Sequence, residues 1–269
     1  VKRLRSQVLF KVLSLSLAGW IILTNVYTED DGFKEERSAH FIIHYQPGVS
    51  QRKVSAMKSL AEKHYKGVTQ EFNLVRDKLW SWDNRAHIYI VKDKENYLKN
   101  FTCSGWSSAC VDYRQKKIYT YSGQRGFSPL LAHELTHIIF REYLGFDSLP
   151  LWLDEGMATY IQDKNSNGYY KKQLVFLKER IRKNEQISFS ELSRISTGSL
   201  NGKSNNFVEL YYLEAYSLVR FLISDYGKYN FSIFLSSLRK GKTLEESLSK
   251  AFFEIRTLDD LGNKWKNFY

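Results

Sequence analysis

The sequence predicts an α+β fold: a small mixed β-sheet with a long helix in the N-terminal half, then a mostly helical C-terminal half. Three observations carry this expectation. After residue 38 the chain reads as a β-forming run, a long stretch of helical periodicity and a second β-forming run, the pattern of a small sheet with a helix across it. After Gly126 the apolar spacing becomes three and four residues and recurs with helix caps to the C-terminus. With 269 residues, 43% of them apolar and 15% aromatic, there is enough side chain to fill a sizeable core, so extensive disorder is excluded. Three prolines and two cysteines exclude proline-rich low-complexity sequence and a disulfide-dense scaffold.

The elements follow in order. His40 to Tyr45 is a first strand, and Pro47-Gly48 turns the chain into a helix with Val54, Met57, Leu60, Ala61, Tyr65, Val68 and Phe72 on one face. Ala86 to Val91 is a second strand, followed by a short helix near Glu95 to Phe101. Val111 to Tyr113 and Lys117 to Tyr121 form a hairpin or an edge strand. Ser128-Pro129 is expected to cap the next helix, which Gly145 ends, and Pro150 opens another. A charged helix spans about Tyr169 to Lys183, residues 201–206 form a loop, and a long helix from about Phe207 stops at Gly227. Thr243 with Glu246, and Thr257 with Asp260, cap two closing helices.

The first 29 residues read as an export segment. Lys2, Arg3 and Arg5 precede a run from Val12 to Tyr27 without a charge, so residues 8–27 are expected to anchor the chain. Cleavage after Ser16-Leu17-Ala18 and secretion is the alternative. The basic N-terminal flank places the remainder, expected as an α/β subdomain at 30–126 and a helical subdomain at 127–269, outside the cytoplasm. In that oxidising setting Cys103 and Cys110 are expected to pair, two free thiols being the alternative. The net charge is +11. Lys2, Arg3, Arg5 and Lys11 precede the first acid, Glu29, which leaves +7 for the rest. This balance favours anionic surfaces, and otherwise marks a lysine-rich solvated face. The dispersal of the cations and the export signal argue against nucleic acid as a partner.

The chemistry centres on His133-Glu134-Leu135-Thr136-His137 within a helical segment. A four-residue step sets the two imidazoles roughly 40° apart around the axis and about 6 Å along it, so both reach one ion. Zinc suits such donors, and a catalytic zinc site uses three protein ligands and one water. Glu155, eighteen positions beyond His137, lies in the helix that Pro150 opens and can bring a carboxylate to the same ion. Glu134 sits where it can take a proton from that water. A histidine pair satisfied by neighbouring carbonyls is the alternative.

His133 to His137 followed by Trp152-Leu-Asp-Glu-Gly-Met-Ala158 resembles the gluzincin branch of zinc peptidases, the peptidase MA-like group. The resemblance implies a zincin-like fold, one Zn2+ held by His133, His137 and Glu155, Glu134 as general base, and a peptide or protein substrate. The motif match is strong over residues 128–160. Tyr212 to Leu222 looks like the family's later helix, in which a tyrosine stabilises the oxyanion. Tyr212 is the candidate, with Tyr216 as a possible second and Tyr211 adjacent. The strand near Lys117 to Tyr121 would align an extended peptide by edge pairing.

Departures from the family narrow the reading. The G-x-M-E-N motif that holds a free amino terminus in aminopeptidases is absent, which favours an endopeptidase. Thr159 stands where thermolysin-like enzymes carry an aspartate supporting a ligand histidine. Asp154 either replaces that support or is a first-turn helix charge, and its position favours the second. The expectation is an extracytoplasmic, membrane-anchored zinc peptidase. A catalytically inactive module that binds a peptide or cell-envelope partner is the alternative, and the intact Glu134 argues against it.

Overall fold

The structure, a computed structural model, describes residues 32–74, 80–101, 109–124, 126–145, 149–200 and 202–269. The expected anchor at 8–27 and Cys103 lie outside these. Among the described residues no helix is long and apolar enough to cross a membrane. Cys110 is disulfide-bonded.

The fold is α+β, as expected. Five strands, β1 (Lys34–Arg37), β2 (Phe41–Tyr45), β3 (Ala86–Val91), β4 (Ala109–Asp112) and β5 (Lys117–Tyr121), form one sheet in the order β1-β2-β3-β5-β4. β2, β3 and β5 run parallel, and β1 and β4 are antiparallel to their neighbours. The expectation for β5 is corrected: it pairs with β3 on one side and β4 on the other, so it is internal and presents no edge to a peptide. β4 occupies that margin. β1 escaped the sequence reading because Lys-Glu-Glu-Arg has no apolar alternation, and its strand exists only through pairing with β2.

Helix α1 (Gln51–Glu71) joins β2 to β3 and closes one face of the sheet. Phe41 and Ile43 of β2, Ile88 and Ile90 of β3 and Ile118 of β5 are buried in one apolar core with Val54, Ala61 and Val68 of α1. The alternate residues Tyr89, Val91 and Tyr119 point the other way, as strand periodicity requires. They join Tyr97 of α2 (Lys94–Asn100) and Phe101 in a second, smaller cluster.

The C-terminal half is helical: α3 (Phe127–Leu144), α4 (Leu151–Lys164), α5 (Tyr169–Arg182), α6 (Phe189–Leu192), α7 (Thr197–Leu200), α8 (Asn205–Arg239), α9 (Leu244–Ala251) and α10 (Leu258–Phe268). Gly227, at φ +84 and ψ 158, breaks α8, but helix resumes immediately beyond it, so the expected stop is a kink. Both expected capping boxes are present, at Thr243–Glu246 and Thr257–Asp260. The Ser128 expectation is corrected. Gly126, at φ +69, holds the N-cap position of α3, and the Ser128 hydroxyl meets His64 Nε2 of α1 at 3.1 Å.

α4 crosses α8 at Gly156, with no room for a side chain. A Cβ there would overlap the Ala215 carbonyl oxygen and lie 2.8 Å from Val219 Cγ2. Next to Ala215 on α8, Glu214 is wholly buried. One carboxyl oxygen accepts from the Ile187 amide at 2.9 Å, while the other has no hydrogen-bond partner. Burial raises its pKa from 4.5 to about 8.

Two expectations follow. Gly156→Ala should lower stability by about 2–3 kcal/mol, read as a reduced denaturation midpoint, because a fixed backbone oxygen cannot move aside. Glu214 retains in the folded state a proton that the unfolded chain releases, so its contribution is full below about pH 4.5 and is lost as pH rises towards 8. Thermal melts from pH 6.5 upward should therefore decline less steeply in Glu214→Gln than in the wild type. Parallel curves would show that Glu214 does not titrate in this range.

Candidate metal centre

α3 is apolar nearly all round and is buried accordingly, with Leu131, Ala132, Leu135, Ile138 and Ile139 fully enclosed. Its polar residues are therefore held in a dry environment: His133, Glu134 and His137 are each no more than 3% exposed. Thr136 satisfies its hydroxyl on the Ala132 carbonyl at 2.7 Å. Gly145, at φ +98, ends α3, and Pro150, with φ −58, starts α4. The N-terminal part of α4, with Asp154 and Glu155, lies against the histidine face of α3.

His133 Nε2 and His137 Nε2 lie 3.1 Å apart. Glu155 Oε2 is 3.6 Å from the first and 3.4 Å from the second. Donors around a tetrahedral zinc at about 2.0–2.1 Å are separated by roughly 3.3–3.4 Å, so the three atoms already have the spacing of one face of such a site. Glu155 Oε2 is also enclosed with no hydrogen-bond partner, a costly arrangement for a carboxylate that a cation would relieve. Two imidazoles and one carboxylate are donors that suit zinc. The residues present therefore fit one metal ion.

Electrostatics point the same way. Burial disfavours a charged His137, yet the Asp154 and Glu155 carboxylates outweigh it and lift the imidazole pKa to about 10. Burial likewise disfavours an ionised Glu155, and the two histidines hold its carboxyl well below the usual range. The pocket thus has a negative potential that draws in positive charge.

Asp154 is the support for His137, correcting its reading as a first-turn helix charge. Its Oδ1 accepts from His137 Nδ1 at 2.8 Å, which holds the ring orientation with Nε2 directed towards Glu155. Its Oδ2 accepts from Arg141 Nε and Nη2 at 2.9 and 2.5 Å. Arg141 lies one turn beyond His137 on α3, so spacing could have suggested the pair. The fourth position after Glu155, Thr159, is buried with an unpartnered hydroxyl. His133 Nδ1 is likewise enclosed without a partner, so the two histidines are supported unequally.

Sequence reasoning missed Tyr113, in the turn between β4 and β5. Its hydroxyl donates to Glu134 Oε2 at 3.4 Å, its ring meets the His137 ring edge-on at 5.5 Å, and the Arg141 guanidinium lies 4.3 Å from the ring centre. Only the tertiary fold brings it there, and no local motif signals it.

The three candidate tyrosines of α8 separate. Tyr216 donates to Asp163 Oδ2 at 3.0 Å, and Asp163 also accepts from the Tyr170 and Lys171 amides at the start of α5. The Tyr216 hydroxyl is thus engaged with the carboxylate that receives the start of α5. Tyr212 is almost fully buried. Burial first, then the Glu155 charge, raises its pKa well above the ordinary phenol value. Tyr211 is shifted upward by the same two causes, and its hydroxyl is enclosed without a partner.

Asp154→Asn keeps the side-chain shape but removes its charge. Zinc affinity, measured by competition with a chelator, should fall about 10–100-fold. An unchanged affinity would mean that Asp154 does not tune His137.

No curated protein matches the chain. A family model of the Peptidase MA superfamily matches residues 119–269, more than half of the chain, and that span contains His133, Glu134, His137 and Glu155. The gluzincin-like resemblance read from the motifs agrees with this match, and the chain belongs to the Peptidase MA superfamily.

Proposed function

We propose that the protein is a zinc-dependent endopeptidase that works outside the cytoplasm, anchored to a membrane by residues 8–27. The observation that carries this reading is the convergence of His133, His137 and Glu155, whose ligand atoms lie within 4.8 Å of one another, with Glu134 between the two histidines in sequence. The basic flank and uncharged run of the N-terminus support the location, and the missing G-x-M-E-N motif supports cleavage of internal bonds.

When bound, zinc supplies a Lewis acid that acidifies water and polarises a carbonyl oxygen. Glu134 accepts a proton from the attacking water and delivers it to the leaving amine. Tyr113 holds the Glu134 carboxylate from the sheet side and limits its rotation. Tyr212 donates a hydrogen bond to the oxyanion that develops on the scissile carbonyl, with Tyr211 beside it in the helix. Asp154 and Arg141 keep the His137 ring in one orientation throughout.

Elemental analysis of the full chain is expected to give about one zinc in the wild type and far less in Glu155→Ala. Glu134→Gln should retain the metal and lose casein hydrolysis by about 10²–10⁴-fold. Zinc without hydrolysis in the wild type would favour the inactive module that binds a peptide or cell-envelope partner. A folded wild type that takes up no zinc would sink the proposal.

A further inference from the structure

α5 buries Tyr170, Leu174 and Leu177 towards the rest of the helical half, but its outer face is unusual for a solvated helix. Val175 and Phe176 are 71% and 64% exposed, and Tyr169, one helical stripe away, is 46% exposed. Around them Lys171, Lys172, Lys178, Arg180, Arg182 and Lys183 are exposed, against a single acid, Glu179. Glu179 is held by Arg182 and Lys183, which leaves the first two turns of cations without an acidic neighbour on the helix. Among the described residues the other most exposed apolar side chains, Trp82, Tyr229 and Phe253, are far apart in sequence, and scattered exposed apolar residues are ordinary for a protein surface.

We propose that the outer face of α5 docks on an anionic phospholipid bilayer, with Val175 and Phe176 entering the headgroup boundary and the flanking lysines and arginines meeting lipid phosphates. The charge is complementary: the lysines and arginines of this face are attracted to the negative surface potential of an anionic leaflet. The apolar pair decides between anionic partners. A bilayer offers a phase in which an exposed valine and phenylalanine lose their water, whereas a nucleic acid or acidic polymer offers the valine nothing comparable. Residues in steps of three and four, Tyr169, Lys172, Phe176, Arg180 and Lys183, put aromatic and cationic groups on one line, as a helix lying in the interface requires. Because Asp163 near the end of α4 accepts from the Tyr170 and Lys171 amides in the first turn of α5, this face is tied to the helix that carries Glu155.

The test uses the full chain reconstituted in vesicles and a membrane-impermeant amine reagent, with labelling of each lysine read by mass spectrometry. Vesicles with about 30% phosphatidylglycerol should reduce labelling of Lys172 and Lys178 roughly threefold or more relative to phosphatidylcholine alone, and about 0.5 M salt should reverse the effect. Lys240 and Lys250, exposed on other elements, should label equally on both membranes. The Val175→Asp, Phe176→Asp double variant, changed only at exposed positions, should lose the protection. Equal labelling of Lys172 on the two membranes would overturn the proposal without reference to the variant. So would protection that persists in the double variant, or equal protection by soluble RNA on phosphatidylcholine vesicles, which would assign the face to a polyanion. None of these outcomes depends on peptide hydrolysis.

Discussion

Carboxylate charge held away from water between two helices is the constraint on which the rest of the structure depends. Asp154, Glu155 and Glu134 are all nearly enclosed, and water does little to stabilise them. Each must find compensation from the protein or from a cation. Asp154 finds it twice, in the His137 imidazole and the Arg141 guanidinium. Glu155, the next residue in sequence, turns its carboxylate towards both histidines and keeps one oxygen without a hydrogen-bond donor. Adjacent positions on one helix thus serve different needs: one orients a ligand histidine, and the other faces both histidines with an oxygen that no hydrogen bond satisfies.

The surrounding fold makes that arrangement possible. α3 can carry three buried ionisable residues, His133, Glu134 and His137, within about one turn because the residues around them are largely aliphatic and packed. α4 can lie close enough because Gly156 admits the backbone of α8. The sheet contributes from the far side: Tyr113 reaches the base, a histidine and the arginine together, and His64 of α1 takes the Ser128 hydroxyl at the start of α3. One apolar core runs from Phe41 in β2 to Trp265 in α10, so displacement of either half would be felt at the metal ligands.

Much of this was legible from the sequence where the physics is local. The β2–α1–β3 succession, the i, i+4 histidines, the threonine capping boxes and the glycine at 227 each follow from periodicity or backbone freedom within a few residues. What was hidden depended on partners distant in the chain. β1 has no apolar signature and is a strand only beside β2. β5 became internal because β4 folded back against it. Tyr113 is one of eighteen tyrosines, and only the sheet's placement distinguishes it. Asp154 was misread because a first-turn acid has a sufficient local explanation, and the stronger one lies seventeen residues upstream at His137.

The charged strand β1 has a consequence for how the protein behaves among copies of itself. It forms one margin of the five-stranded sheet, and a sheet margin is a template onto which another chain's strand can add. Any such strand would have to approach Lys34, Glu35, Glu36 and Arg37 in succession, stripping water from ionic groups of both signs. That penalty guards the margin against self-association and fibril-like growth. Four residues that add nothing to the apolar core thus help keep concentrated protein dispersed.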